Sequence, residues 1–457
     1  MSSLWKGKLN MKKEKDNRKS RISRRDFMSA AAATAAFTLV PRHVLGGSGD
    51  QPASEKLNIA GIGVGGRGGG DIGNVSSENI VALCDVDEKR AGGTFNRFQN
   101  AKRYKDYRKM LDKEEKNIDA VVVATPDHNH APAVIRAMKM GKHVYVEKPM
   151  AHTIFEAREM TRVAREMKVV TQMGQQGHAG EGLRLTYEFI QDGAIGTVRE
   201  AHVWSDRPIW PQGIGRPKDM QPIPATLDWD LWLGPAPWRP YNKAYVPFNW
   251  RGWWDFGCGA MGDMAVHNAD PAFFCLNLDA PIAAEAETSP VNDETFPKWQ
   301  IITYYFPVRG KRPPVKMIWY DGGKKPPRPP ELEESRDLGG NGIMFVGDKG
   351  KILCGGWSGP PRLIPEAKMK EYKRPEKTLK RSIGHHKEWI QACKDNNPKG
   401  ALAGFEYSGP FTESLLVGNL AVRLGRRIVW DSKKMKATNA PEADKYINKS
   451  YRKGWEI

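Results

Sequence analysis

The stretch Leu57-Asn58-Ile59-Ala60-Gly61-Ile62-Gly63-Val64-Gly65-Gly66-Arg67-Gly68 decides the fold. Leu57–Ala60 reads as a short buried strand, and it runs directly into a G-x-G-x-x-G turn. That spacing has a physical use. Gly61 permits the tight turn, Gly63 lets a pyrophosphate approach the backbone, and Gly66 lets the next helix pack close to the sheet. Amide N–H groups at the helix start, where Arg67 stands, then face the phosphates.

The flanking sequence turns a weak motif into a specific one. A second strand, Asn79–Cys84, ends at Asp85, about twenty residues downstream. A carboxylate there hydrogen-bonds ribose hydroxyls and repels a 2′-phosphate, so NAD is expected over NADP, although Lys89-Arg90 lies close. Ile118–Thr125 is a third strand, turning at Thr125-Pro126. The segment Asp127-His128-Asn129-His130 follows, then a helix from about Ala131 to Met140. His143–Val146 is another strand, closed by Glu147-Lys148-Pro149. Strands alternating with helices in this way predict a parallel, doubly wound Rossmann sheet over residues 55–173. Its cofactor should lie at the strand ends that carry Asp85, Thr125-Pro126 and Glu147-Lys148. His128 and His130 are expected to line the cofactor turn. Together with His178 they lack any metal-ligand pattern, and no metal site is expected.

From Gly174 the pattern changes. Thr197–Trp204, Trp299–Phe306 and Val315–Trp319 read as strands of a largely antiparallel sheet, followed by a hairpin turning at Asp348-Lys349. His385-His386 opens a helical segment to Lys394, read as surface or packing, and a final helix is expected over Phe411–Leu424. The fold class is therefore α/β plus α+β, with an open-sheet domain at 174–430 and an extension at 431–457. Seven tryptophans, among them Trp253 and Trp254, crowd a Pro- and Gly-rich excursion before residue 255. Their rings suit either sugar faces or the packing of an irregular region. Asp206, Arg207 and Asp255 could bind hydroxyls there, and His178 is a further substrate candidate.

The formal charge of +18 does not imply nucleic acid. Eleven Lys/Arg against three Asp/Glu fall between Lys6 and Arg42, and the other basic runs lack a recognisable nucleic-acid motif. Five scattered cysteines form no C-x-x-C pair, which argues against a disulfide framework. Arg24-Arg25 precedes an Ala-rich apolar stretch of about a dozen residues, the layout of a twin-arginine export signal within a leader at 1–48. The stretch is too short to span a bilayer, so no integral membrane domain is expected. The protein should meet the twin-arginine export machinery and reach the periplasm or beyond.

Together, GIGVGGRG at 61–68, CDVD at 84–87, ATPDHNHAPAVIRAMKMGKHVYVEKPM at 124–150 and GDMAVH at 262–267 resemble the glucose–fructose oxidoreductase and inositol dehydrogenase family (Gfo/Idh/MocA). The resemblance covers roughly Lys56 to Val429. It implies that Lys148 points at nicotinamide and substrate, and that Asp263 and His267, four residues apart, lie beside the substrate. It also implies homo-oligomers built on the open sheet. If the pair sits on a helix, Asp263 and His267 project together. A histidine of near-neutral pKa, oriented by a carboxylate or by the substrate, would then take a hydroxyl proton while Lys148 steadies the alkoxide.

An exported NAD enzyme meets no soluble nucleotide pool, so its cofactor should stay bound and be recycled. That favours an oxidoreductase acting on a secondary hydroxyl of a sugar or glycoside. The alternatives are an NAD-dependent glycoside hydrolase or lyase working by transient oxidation, elimination and re-reduction, and a non-catalytic carbohydrate-binding protein.

Overall fold

The computed structural model describes residues 55–457, and the leader expected at 1–48 lies outside them. Strands β1 (Asn58–Ile62), β2 (Asn79–Cys84), β3 (Lys102–Tyr104), β4 (Ala120–Val123), β5 (His143–Val146) and β6 (Thr171–Met173) form a parallel sheet in the order 3-2-1-4-5-6. That is the doubly wound order, in which the chain reverses beside β1 and opens a crevice at the strand ends. The β4 run Ala-Val-Val-Val is buried along its whole length, as a central strand covered by helices on both faces must be. Around it run α1 (Arg67–Asn74), α2 (Glu88–Arg97), α3 (Tyr107–Glu114), α4 (His130–Lys139) and α5 (Ile154–Met167). Helix α5 starts in a capping box, the Thr153 side chain accepting from the Glu156 N–H while Glu156 accepts from Thr153.

After α6 (Glu181–Gln191) comes a nine-stranded sheet. Its strands are β7 (Val198–Trp204), β8 (Ala283–Thr288), β9 (Gln300–Phe306), β10 (Val315–Tyr320), β11 (Gly342–Gly347), β12 (Lys351–Gly355), β13 (Pro361–Ile364), β14 (Ile428–Asp431) and β15 (Lys436–Ala437). Their order is 13-12-11-7-10-9-8-14-15, antiparallel except for the parallel pair β7–β10. The expected hairpin is β11–β12; β13 after it, and the β14–β15 pair, extend the sheet at its two edges.

Between β7 and β8 the chain holds mainly short helical turns, and the helix α7 (Asp270–Leu276). Many of the tryptophans expected in the excursion are packed inside. Trp229, Trp232, Trp250 and Trp253 share a core with Tyr245 and Phe256.

The chain then returns to the first domain. Helix α8 (His385–Lys394) sets Trp389 in a core shared with Ile59, Val122 and Tyr145. His385 and His386 are buried, the first against the Met173 carbonyl (2.9 Å), the second stacked on Tyr145. Helix α9 (Phe405–Leu424) begins six residues before the predicted start, with Pro410 inside it. One N–H is lost there, and close packing compensates: Gly409 lies so tight on α5 that a Cβ would reach Thr161 Oγ1. On its other side α9 covers the sheet through Gly418, where a Cβ would stand 2.0 Å from Tyr304 Oη. The 431–457 segment also crosses back. Lys449 pairs with the buried Glu156 at 2.7 Å, and Trp455 packs on Tyr107 beneath the Arg108 guanidinium.

Gly418→Val should therefore overpack the α9–sheet contact and cost about 1–3 kcal/mol. Thermal unfolding would report it as a lower Tm, and an unchanged Tm would mean that this contact yields freely.

Candidate active site

The glycine turn is held from below, the Gly63 N–H donating to the Cys84 carbonyl at 2.8 Å. Gly63 has φ +76°, and a Cβ would lie 2.8 Å from the Ala124 backbone. The close helix packing predicted for Gly66 falls instead to Gly68, where a Cβ would come 1.9 Å from the Gly63 carbonyl oxygen. Gly66 caps α1 at φ +61°, with the Arg90 guanidinium where its side chain would be. Gly61, at the end of β1, has Val64 and Ile72 in the place of a Cβ.

Asp85 accepts from the Gly65 N–H at 2.8 Å and from the Asp87 N–H at 2.9 Å, while burial raises its pKa. Its carboxylate thus shapes the turn as well as lining the crevice. Arg67 joins the glycine turn to the β5 end through ion pairs with Asp71 (2.9 Å) and Glu147 (3.1 Å). Glu147 also accepts from Gln176 Nε2 at 2.8 Å. Pro126 and Thr125 line the crevice, and Thr125 Oγ1 is buried with no partner. His130 does not line it. Its ring lies behind, 2.8 Å from both the Thr125 and the Pro149 carbonyl oxygens, and ties together the two turns that do.

The crevice widens to a cavity of about 370 Å³ that runs from Gly63, Asp85 and Arg90 to Lys148, His267 and Trp357. A glycine-lined floor, an acidic group at the β2 end and an unsatisfied hydroxyl at Thr125 fit a dinucleotide lying across the strand ends.

At the far end, Lys148 donates to the Asp263 carbonyl at 2.7 Å and to its carboxylate at 3.0 Å. Arg251 Nε donates to the same carboxylate oxygen at 3.0 Å, and Arg207 Nε stands 3.5 Å from the other. Burial disfavours the charged form, but Lys148 and Arg251 outweigh it and hold the Asp263 carboxyl well below the usual carboxylate range. Lys148 has three N–H donors and spends two on Asp263, leaving one for a ligand oxygen.

His267 lines the cavity but is not paired with Asp263. Residues 261–265 form a π-helical turn, and His267 lies in the short α-helical turn that follows it. Burial, then the charge of Lys148, push the His267 pKa well below its usual value, not to the near-neutral value expected. The imidazole is neutral, and its buried Nδ1 has no hydrogen-bond partner. Such an atom can take a proton from a bound hydroxyl or hand one over.

The structure scatters the proposed substrate residues. Arg207 reaches Asp263, whereas Asp206 caps the Arg207 guanidinium at 2.6 Å and is half exposed. His178 is buried on Asp270 at 2.9 Å, away from the cavity. Trp253 is buried in the aromatic core, its Nε1 donating to the Ala244 carbonyl. Trp254 packs on Phe296 beside a second cavity. Asp255 pairs with Arg239. Sequence reasoning missed Arg251, Asp127, Gln176 and Trp357, all of which line the site. Arg251 sits inside the Trp-rich stretch with no spacing to mark it. Asp127 had a signal, a carboxyl right after the Thr125-Pro126 turn. It accepts from the Cys258 N–H at 3.0 Å, and burial pushes its pKa up to about 7. Among the described residues no group of His, Cys, Asp and Glu is arranged to hold a metal, and no helix is long and apolar enough to cross a membrane.

Comparison with known proteins matches both halves of this architecture. Residues 57–175 match the Gfo/Idh/MocA model described as "Oxidoreductase family, NAD-binding Rossmann fold", and residues 208–311 match "Oxidoreductase family, C-terminal alpha/beta domain". Inositol 2-dehydrogenase of Rubrobacter xylanophilus is 29% identical over 181 residues, 38% of this chain and 48% of that protein. A glycosyl hydrolase family 109 protein of Shewanella pealeana is 25% identical over 205 residues, 39% of this chain and 44% of that protein. The chain thus spans less than half the length of these relatives. Among solved structures, the WlbA dehydrogenase of Bordetella pertussis, in complex with NADH and UDP-GlcNAcA, is similar in fold. It is 19% identical, with a TM-score of 0.57, covering 82% of this chain and 99% of that one.

Two substitutions probe the electrostatics. Asp85→Asn removes the negative charge from the ribose end, and the NADP-to-NAD affinity ratio should rise about tenfold, roughly 1.4 kcal/mol. Fluorescence titration with both nucleotides measures this, and an unchanged ratio would mean that Asp85 serves only the turn. Asp127 has a folded pKa above its unfolded one, so its protonated form favours folding at low pH and that contribution fades as pH rises towards about 7. The Tm of Asp127→Asn relative to wild type should therefore increase between about pH 5 and about pH 8. A constant difference would show Asp127 ionised throughout.

Proposed function

From the matches to the two Gfo/Idh/MocA oxidoreductase models, we propose that this chain belongs to that family and is an NAD-dependent oxidoreductase acting on a secondary hydroxyl of a sugar or glycoside. NAD, when bound, accepts hydride from the carbinol carbon. The observation that carries the reading is the meeting of Lys148, anchored on Asp263, with the neutral His267 in the dinucleotide crevice. The free N–H of Lys148 holds the substrate oxygen and stabilises negative charge as it develops. His267 takes the hydroxyl proton at Nδ1 and returns it in the reverse direction. Lys148 and Arg251 together keep Asp263 ionised as the anchor of the lysine. Phe248, Trp232 and Trp250 give the cavity apolar walls.

The further features belong to the same proposal. The twin-arginine leader expected at 1–48 would carry a folded, cofactor-loaded protein across the membrane, where a retained NAD would have to be recycled in place. The exposed part of the nine-stranded sheet is the surface on which copies would associate. A second reading is favoured by the resemblance to a glycosyl hydrolase family 109 protein. In it, the same proton and hydride steps would acidify a neighbouring C–H, expel an aglycone and restore the sugar.

The test is to denature the purified protein, identify any released nucleotide, and follow reduced-nicotinamide absorbance while titrating glycosides. Bound NAD and sugar-dependent reduction are expected, and Lys148→Ala should lower kcat/KM about a hundredfold or more. Release of aglycone without net redox change would select the second reading. A protein that neither contains nor binds nucleotide would defeat both.

A further inference from the structure

The turn between β12 and β13 presents Trp357 in a conformation that side chains rarely adopt. Trp357 has φ +56° and Ser358 φ +57°, two consecutive non-glycine residues in the left-handed region. Either position would suit glycine better, and this turn already contains glycines at 355, 356 and 359. The surroundings nevertheless hold the turn on several sides. The buried Asn268 accepts the Trp357 N–H at 3.1 Å and donates to the Trp204 carbonyl at 2.9 Å. Gly177 lies so close that a Cβ would stand 2.6 Å from the Trp357 carbonyl oxygen, and one at Gly182 would stand 2.1 Å from that of Ser358. Two glycines and a buried asparagine are thus committed to a strained turn, which is the condition under which strain persists at functional positions.

The indole gains little packing from this arrangement. Trp357 is 48% exposed, whereas Trp232 and Trp250, which also line the cavity, are 7% and 8% exposed. Its ring lies 6.1 Å from the His267 ring, with 41° between the planes. Asn268, which holds Trp357, is the residue after His267, so one peptide step links proton-transfer group and aromatic surface.

We infer that Trp357 is the platform on which the apolar C–H face of the sugar ring stacks, and that it determines specificity at this site. Its exposed face is apolar and matched to a pyranose, and its position beside His267 orders the ring before proton transfer. This rests on the carbohydrate reading above and goes beyond it by naming the residue that selects the ring face.

The test uses the full chain and three forms: wild type, Trp357→Gly and Trp357→Phe. Calorimetric titration with methyl α- and β-glycosides of glucose, galactose and mannose measures binding with NAD present, and steady-state kinetics measure turnover. Glycine relieves the left-handed strain, so Trp357→Gly should unfold at the same or a higher temperature while glycoside affinity falls about tenfold or more. NAD affinity should stay unchanged, and Trp357→Phe should recover most of the loss. Unchanged glycoside affinity in Trp357→Gly would overturn the inference, as would a loss confined to NAD. A wild type that binds glycosides through Trp357 without turnover would overturn the redox reading and leave this one standing. A wild type that binds none of them would overturn both.

Discussion

The contact between Lys148 and Asp263 links the two halves of the molecule at the point where chemistry would occur. Lys148 belongs to the turn closing β5 of the parallel sheet, and Asp263 to the π-helical turn of the second domain. Their hydrogen bonds place two partly buried charges together, with Arg251 and Arg207 added on the cationic side. A buried pair of this kind adds little net stability, but removing one partner strands the other at a cost of about 3–5 kcal/mol. The arrangement therefore works as a positional constraint. It tells the second domain where to sit relative to the strand ends, and it leaves one donor of a cavity-lining lysine unspent.

Much of the rest follows from that constraint. The cofactor crevice exists because the sheet reverses order beside β1, but its depth comes from the second domain standing over it. The aromatic core around Trp229, Trp232 and Trp253 holds the irregular excursion that delivers Arg251 to Asp263. Two residues only four apart take different roles, Asp263 meeting the cations and His267 lining the cavity.

The first domain was legible because its signals are local. The glycine spacing, Asp85 at a strand end and the Glu147-Lys148-Pro149 turn each specify backbone geometry within a few residues. The second domain was legible as strands, but its site residues were not. Arg251 and Trp357 acquire meaning only from tertiary neighbours more than ten residues away in sequence, and no periodicity encodes them. The tryptophans were left open between sugar faces and packing for a related reason. Trp253 and Trp254 are both buried, since an excursion with so little regular structure needs large side chains for a core of its own. His178 likewise found Asp270 in the interior, a partner 92 positions away. His130, expected to line the cofactor turn, instead ties that turn to the Pro149 turn from behind.

The return of the chain to the first domain bears on how the protein is made. Helix α8 supplies Trp389 to the core behind β1 and β4, and Trp455 closes over α3. Both lie more than two hundred residues after β6, so the parallel sheet emerges from the ribosome with one flank unfinished. For most of synthesis that nascent domain must persist with exposed apolar surface. Its completion is tied to translation of the distal segment, and a nucleotide that binds the crevice early would act as a placeholder for the missing half.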